Sequence, residues 1–193
     1  MAADQQGSSP GTYTGSFALG KAGALSGDSN TAIGVGPSAG WVSVPDSAKV
    51  DFGDGPFTIE FWAKRAGTGS GYVINKGTGD YGVFFSGSAQ KLIFEKVNTQ
   101  TTAQETGTTD QAWHYWAIVQ GAGSTNAIIY KDGVNVTQVN NTTTFLDTTA
   151  PLEIGRNMGS TAFNGSLDEF ALYNKALSAA RVAAHYAARG VTP

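Results

Sequence analysis

The run Phe163-Asn164-Gly165-Ser166-Leu167-Asp168-Glu169-Phe170-Ala171-Leu172-Tyr173-Asn174-Lys175-Ala176-Leu177-Ser178 carries a turn, a strand and a helix start in succession. Asn164-Gly165 reads as a tight turn. Leu167 to Tyr173 reads as a strand, on which the adjacent Asp168 and Glu169 point to opposite faces. Ser178 then suits an N-cap, because its hydroxyl can accept a free amide of a first helical turn. Val182, His185 and Tyr186 follow at helical spacing through an Ala-rich stretch, and Gly190 is placed to end it.

Upstream, the pattern is that of short strands between turns. Phe57 to Lys64 is the clearest, with Phe57, Ile59, Phe61 and Ala63 on one face and Thr58, Glu60, Trp62 and Lys64 on the other. Further strands are expected at Thr31–Val35, Trp41–Val44, Tyr72–Lys76, Tyr81–Ser86, Lys91–Val97, Trp113–Gln120, Ala127–Tyr130, Val134–Val139 and Leu152–Gly155, with a weak one in Tyr13–Leu19. Lys131-Asp132-Gly133 is a hairpin signal, since Asp-Gly tolerates positive φ at both turn positions. About a dozen short strands and one terminal helix give an all-β antiparallel sandwich. Residues 1–12 read as a polar N-terminal arm and 13–193 as one domain.

Composition agrees. The 193 residues are 40% hydrophobic and only 14% charged, with 26 glycines, as suits a turn-rich β protein. The net charge is −3 and no basic run exceeds Lys64-Arg65, which argues against a nucleic-acid partner. No apolar stretch approaches 18 residues, so no membrane helix is expected. The absence of cysteine removes disulfides, thiolate metal sites and a cysteine nucleophile. The N-terminal residues have neither the basic region nor the apolar core of a signal peptide.

Six segments, in order, resemble laminin-G-like domains of the concanavalin A-like lectin/glucanase superfamily. They are Gly11-Thr12-Tyr13-Thr14-Gly15 with Ala22-Gly23-Ala24-Leu25; Trp41 to Ser47 before Phe57 to Trp62; Trp113-His114-Tyr115-Trp116-Ala117; Tyr130 to Val134; Leu152 to Arg156; and the closing run. The resemblance implies a jelly-roll sandwich, and either sugar binding or sugar cleavage. It also implies a calcium site near the opening loop and the closing strand, matched here by Asp4, Gly7 and Asp168, with the Asp28–Asn30 loop as a lesser candidate. Family members usually begin with a strand that this chain lacks, so an open edge beside Leu167–Tyr173 is expected, covered by another chain or another copy.

Hydrolysis by this superfamily needs two facing carboxylates. No alternating Glu-x-Asp-x-x-Glu pattern exists here, and His114 and His185 belong to no nucleophilic triad. The expectation is therefore a non-catalytic module, with glycoside hydrolysis the lesser alternative. Trp62, Glu60 and Lys64 on one strand face have the composition of a sugar platform, to which Trp41, Tyr72 and Tyr81 could add; the competing reading packs Trp62 under a loop or helix. The Gly-Thr-Tyr-Thr-Gly opening and the Leu-Ser-Ala-Ala helix start resemble versions in actinobacterial and bacteriophage proteins. That implies a virion-surface component, a capsid decoration or minor tail protein that attaches through its arm or open edge and contacts glycans. The alternative is a secreted or cell-surface carbohydrate-binding domain. A homo-oligomer is compatible with either.

Overall fold

The computed structural model describes residues 2–5, 9–36, 40–123, 125–157 and 161–190. Its strands, in chain order, are β1 (Thr12–Thr14), β2 (Ala18–Lys21), β3 (Ala32–Val35), β4 (Trp41–Val44), β5 (Phe57–Arg65), β6 (Gly71–Asn75), β7 (Tyr81–Phe85) and β8 (Leu92–Lys96). They continue as β9 (Gln100–Glu105), β10 (Trp113–Gln120), β11 (Ile128–Lys131), β12 (Val134–Asn135), β13 (Thr137–Asn140), β14 (Leu152–Ile154) and β15 (Gly165–Tyr173). A single helix, α1 (Ala179–Ala187), closes the described fold.

Two antiparallel sheets result. One has eight strands in the order β1-β4-β14-β6-β7-β8-β9-β13, the other seven in the order β12-β11-β10-β5-β15-β3-β2. The core lies between them. Phe57, Ile59, Phe61 and Ala63 of β5 face Val42, Ile74, Val83, Phe85, Leu92 and Phe94 of the opposite sheet. Period-2 alternation selects these residues because successive side chains on a strand leave opposite faces.

β5 is unusual in being covered on its other face too. α1 lies over the outer face of the seven-stranded sheet and forms a second apolar cluster of Trp62, Tyr115, Ala117, Val119, Tyr130, Leu177 and Val182. Ser178 caps the helix by accepting the Arg181 amide at 3.3 Å. The segment leading into the helix is tied to β5 as well, for the Thr58 hydroxyl donates to the Lys175 carbonyl at 2.8 Å and accepts the Leu177 amide at 3.0 Å.

The Asp-Gly turn forms as its residues dictate, with φ of 51° at Asp132 and 79° at Gly133. Asp132 also reaches sideways to β10. Its carboxylate accepts the Tyr115 amide at 3.0 Å and meets His114 Nδ1 at 2.6 Å, while His114 Nε2 lies 2.9 Å from Asp110. At the other end of the sandwich Lys76 is fully buried. Its ammonium donates to Asp46 at 2.7 Å and to the carbonyls of Thr148 and Ala150, and lies 2.8 Å from Asp51.

Among the described N-terminal residues, Ala2 and Gly11 are tied to the sandwich. Ala2 and Gly11 exchange two backbone hydrogen bonds of 2.7 and 2.9 Å, and Ala2 packs against the core. The closing strand is also more enclosed than expected. β15 pairs with β5 from Gly165 to Tyr173 and with β3 from Gly165 to Leu167, so it lies inside its sheet rather than at an edge. From Phe170 onward only β5 pairs with it among the described residues.

Two outcomes are expected. Trp62→Ala, which empties the contact with α1, destabilises the fold by roughly 3 kcal/mol in chemical denaturation. His114 has its pKa raised by the hydrogen bond to Asp132, with help from Asp110. Its stabilisation is complete below the unfolded value of about 6.5 and is lost as pH rises through the folded value. The denaturation midpoint therefore falls as pH rises across that window, and the fall is absent in His114→Gln.

Candidate functional site

The six sequence-selected sugar residues lie in four separate places. Trp62 is only 6% exposed and lies beneath α1, its ring stacked at 6.0 Å from Tyr186. Glu60 is 4% exposed and beside it. The Glu60 carboxylate accepts the Tyr115 hydroxyl at 2.5 Å and lies 3.0 Å, through both oxygens, from His185 Nδ1 of α1. Tyr173 hydrogen-bonds it too, and burial together with this carboxylate pushes the Tyr173 hydroxyl up to about 12. What remains is a cleft of about 190 Å³ between α1 and β15. Tyr81 is wholly inside the sandwich, its hydroxyl donating to the Val50 carbonyl at 2.8 Å. Lys64 is exposed, beyond the end of the helix-covered area.

Trp41 is elsewhere, on the outer face of the eight-stranded sheet, and there it has company. Strand register puts Ser43, Glu153, Asn75, Gly82 and Glu95 in one cross-strand row on this face. Tyr72, Phe84, Ile93 and Gln104 make the neighbouring row. The Arg156 guanidinium lies over the Trp41 ring at 3.1 Å from its centroid. It is fixed there by two hydrogen bonds to Glu153, Nε at 2.9 Å and Nη2 at 2.8 Å, the fork geometry that suits a carboxylate.

A second aromatic unit adjoins the first. Tyr72 and Phe84 stack with centroids 5.0 Å apart, and the Tyr72 hydroxyl donates to Glu95 at 2.6 Å. Asn157 hydrogen-bonds the same hydroxyl. Burial and then the Glu95 carboxylate push the Tyr72 hydroxyl well up, so it remains a donor at all ordinary pH. Burial likewise raises Glu95. Tyr72 and Arg156 both bridge to Ala162, which brings the two units side by side. Trp41, Tyr72, Phe84, Arg156 and Glu95 are all half-buried, neither swallowed by the core nor fully solvated.

Sequence reasoning singled out Trp41 and Tyr72 but centred them on Trp62 of β5, which the structure places on the other sheet beneath α1. Arg156, Glu153, Phe84 and Glu95 were missed as a group. The alternation on β7 and β8, which puts Phe84 and Glu95 outward, was the available signal.

The residues expected to hold calcium do not come together among those described. Asp4 belongs to the N-terminal turn and accepts the Ser9 amide at 2.8 Å. Gly7 lies outside the described residues. Asp168, on the other sheet, is 8% exposed and accepts the Ala24 amide at 2.8 Å through one oxygen and the Glu169 amide at 3.1 Å through the other. The Asp28 loop turns on itself, with the Asn30 amide donating to Asp28 at 2.9 Å, and the Asn30 side chain hydrogen-bonds Glu169. Calcium wants six to eight oxygens around one point, and no three acidic or histidine side chains among the described residues are so disposed.

The fold and this outer face define a lectin-like sandwich domain. A family model described as the concanavalin A-like lectin/glucanases superfamily matches residues 36–183, and the chain belongs to that family. No curated protein matches it. Among solved structures it is similar to domain 4 of AbnA, an extracellular arabinanase of Geobacillus stearothermophilus, in complex with arabinotriose. The TM-score there is 0.70 at 17% identity, over 95% of this chain and 91% of that one. It is also similar to the binding domain of Paraclostridial Mosquitocidal Protein 1 (TM-score 0.68, 14% identity, 92% of this chain and 47% of that one). The binding domain of Botulinum neurotoxin DC in complex with rat synaptotagmin II gives 0.68 at 12% identity, over 95% and 48%. The chain spans about half the length of these toxin domains. These neighbours are thus a domain in complex with arabinotriose and two toxin binding domains.

Removing divalent ions is expected to leave the protein's stability unchanged. Thermal melts with a chelator and with added calcium should agree within about 2 °C; a calcium-dependent rise of about 4 °C or more, about 1 kcal/mol for a chain of this size, would show an ion site that these side chains do not form.

Proposed function

We propose that this chain is a non-catalytic glycan-recognition module that binds sugars on the outer face of its eight-stranded sheet. The observation that carries this reading is the adjacency of two half-buried aromatic units, Trp41–Arg156 and Tyr72–Phe84, each with a carboxylate fixed beside it. Aromatic faces take the apolar face of a sugar ring, and oriented carboxylates, amides and guanidinium groups take its hydroxyls. A face whose polar groups are already held in place loses little side-chain entropy on binding. The similarity to an arabinanase domain in complex with arabinotriose supports the same class of ligand.

The spacing of the acids on this face supports binding over hydrolysis. Glu153 and Glu95 stand three strand spacings apart in their row, roughly 14 Å between backbones. Each is held by a partner on its own side, Arg156 or Tyr72. Acid–base cleavage of a glycosidic bond asks instead for one carboxyl kept protonated and the other free to attack or to activate water.

The setting we propose is the surface of a larger assembly, a virion capsid or tail, on the strength of the opening and closing sequence segments; a secreted or cell-surface module is the alternative. The unpaired side of β15 from Phe170 to Tyr173 is the place where another chain, or a second copy, can add a strand.

A glycan array followed by calorimetry tests the binding reading. Trp41→Ala and Tyr72→Ala should each weaken binding of the best neutral oligosaccharide by about tenfold or more, about 1.4 kcal/mol, with little change in melting temperature. Binding that survives both substitutions, or an array with no glycan bound, overturns it. The setting is checked separately: the chain should copurify at fixed stoichiometry with particles from its source, and particles without it count against a virion role.

A further inference from the structure

The outer face of the seven-stranded sheet is divided. α1 covers the half around Trp62, whereas the half beyond Lys64 is bare and holds a groove of about 520 Å³. That volume is within the usual range for ligand sites, about 300–1,000 Å³.

Its floor is built by register. Ala18, Gly34, Ser166 and Lys64 form one cross-strand row over β2, β3, β15 and β5. Gly34 keeps the middle of this row low. A Cβ there would stand 3.0 Å from the Ala18 Cβ and 3.3 Å from the Lys21 Cε, so Lys21 lies directly beside the floor. Lys64 borders the other side, two strand spacings or roughly 10 Å away along the sheet. Ser16, Asn164 and Ser166 add hydroxyls and an amide, and Phe17 an apolar edge.

The charge of the groove runs against that of the molecule. The chain carries −3 overall, yet no acidic side chain lines this groove. Lys21 and Lys64 are exposed, and neither takes part in the ion pairs formed among the described residues. Arg65 contributes to the wall, but its guanidinium lies over Phe85 and donates to the Gly69 carbonyl, on the inner side. The next acid along β15 on this face, Asp168, is 8% exposed and accepts amides through both oxygens. Among the described residues no carboxylate lining the groove pairs with either ammonium group.

We propose that this groove is a second sugar site, specific for acidic oligosaccharides. Lys21 and Lys64 take carboxylate or sulfate groups at its two sides, Ser166 and Asn164 take hydroxyls, and Phe17 borders a ring face. Lysine suits this role as a mobile point charge that does not demand one planar acceptor. The inference rests on the glycan-binding reading but uses the opposite sheet and the opposite charge from the Trp41–Tyr72 face.

The test is amide-shift mapping of the full chain by NMR with three probes: trigalacturonate, a sulfated heparin-type disaccharide, and neutral galactotriose. At least one acidic probe should move the Gly34, Lys64 and Ser166 signals, and galactotriose should not. The doubly substituted Lys21→Ala/Lys64→Ala chain should lose about tenfold or more in affinity for that probe, and affinity should fall as salt is raised from about 50 to about 300 mM. Trp41→Ala and Tyr72→Ala should leave it unchanged. Equal shifts from galactotriose or from inorganic sulfate at the same concentration overturn the proposal. So does a silent groove at millimolar acidic sugar while neutral sugar still binds at the Trp41 face, a result that leaves the first reading standing. Failure of neutral binding with acidic binding intact does the reverse.

Discussion

A central strand covered on both faces is the constraint from which the rest of this structure follows. The inner face of β5 supplies Phe57, Ile59 and Phe61 to the sandwich core, and its outer face supplies Thr58, Glu60 and Trp62 to the contact with α1. The outer face is partly polar, and buried polar groups must be paired. Thr58 is paired with the segment entering the helix, Glu60 with Tyr115, Tyr173 and His185. The helix is thus latched by hydrogen bonds as well as by apolar area. To lift it away would break the Glu60–His185 contact and expose the apolar cluster around Trp62.

That latch decides which surfaces stay open. The half of the seven-stranded sheet under α1 is closed, and what remains beside it is a small cleft whose carboxylate is already engaged. The open surfaces are the outer face of the eight-stranded sheet and the bare half of the seven-stranded one. On the first, an alternating strand pattern leaves Tyr72, Phe84 and Glu95 outward, because the residues between them are committed to the core. The loops at one rim are held by the buried Lys76, whose ammonium ties together Asp46, Asp51 and the carbonyls near residue 150. A lysine in that position must be fully hydrogen-bonded to stay charged, and it therefore fixes several loops at once.

Much of the fold was legible in the sequence, for a physical reason. The strands β3, β4, β5, β7, β10, β14 and β15 alternate or carry β-branched and aromatic runs, and the Asp132-Gly133 turn and the Ser178 cap each follow from one local rule. What was not legible depended on partners distant in sequence. β9, with Gln100, Thr101 and Gln104, has no apolar stripe; it is a strand because β8 and β13 flank it and the core buries Ala103 completely. The stretch Val134–Val139 looks continuous, yet it splits. The Asn135 side chain accepts both the amide and the hydroxyl of Thr137, and this turn sends β12 and β13 to different sheets. Trp62 had two readings, a sugar platform or a residue packed under a loop or helix, and its burial against Tyr186 decides for the second. Alternation shows that it leaves the core side of β5, and the packing of Val182 and Tyr186 shows that α1 is what covers it.

The same reasoning separates what fold similarity can carry here from what it cannot. At 12–17% identity, the neighbours share with this chain a two-sheet sandwich, which an inward alternation of apolar residues suffices to specify. The outward residues bear no such burden and are free to differ, so fold alone does not fix the ligand. In this chain they have separated into two chemistries. One face carries aromatic rings with carboxylates pinned beside them, the other a glycine-floored groove between two lysines. The closed helix-covered patch lies between that groove and the far edge of the same sheet, and it keeps the buried acid Glu60 away from the lysines. The two outer faces are thus the open surfaces of the sandwich, and the burial of β5 beneath α1 bounds the second of them.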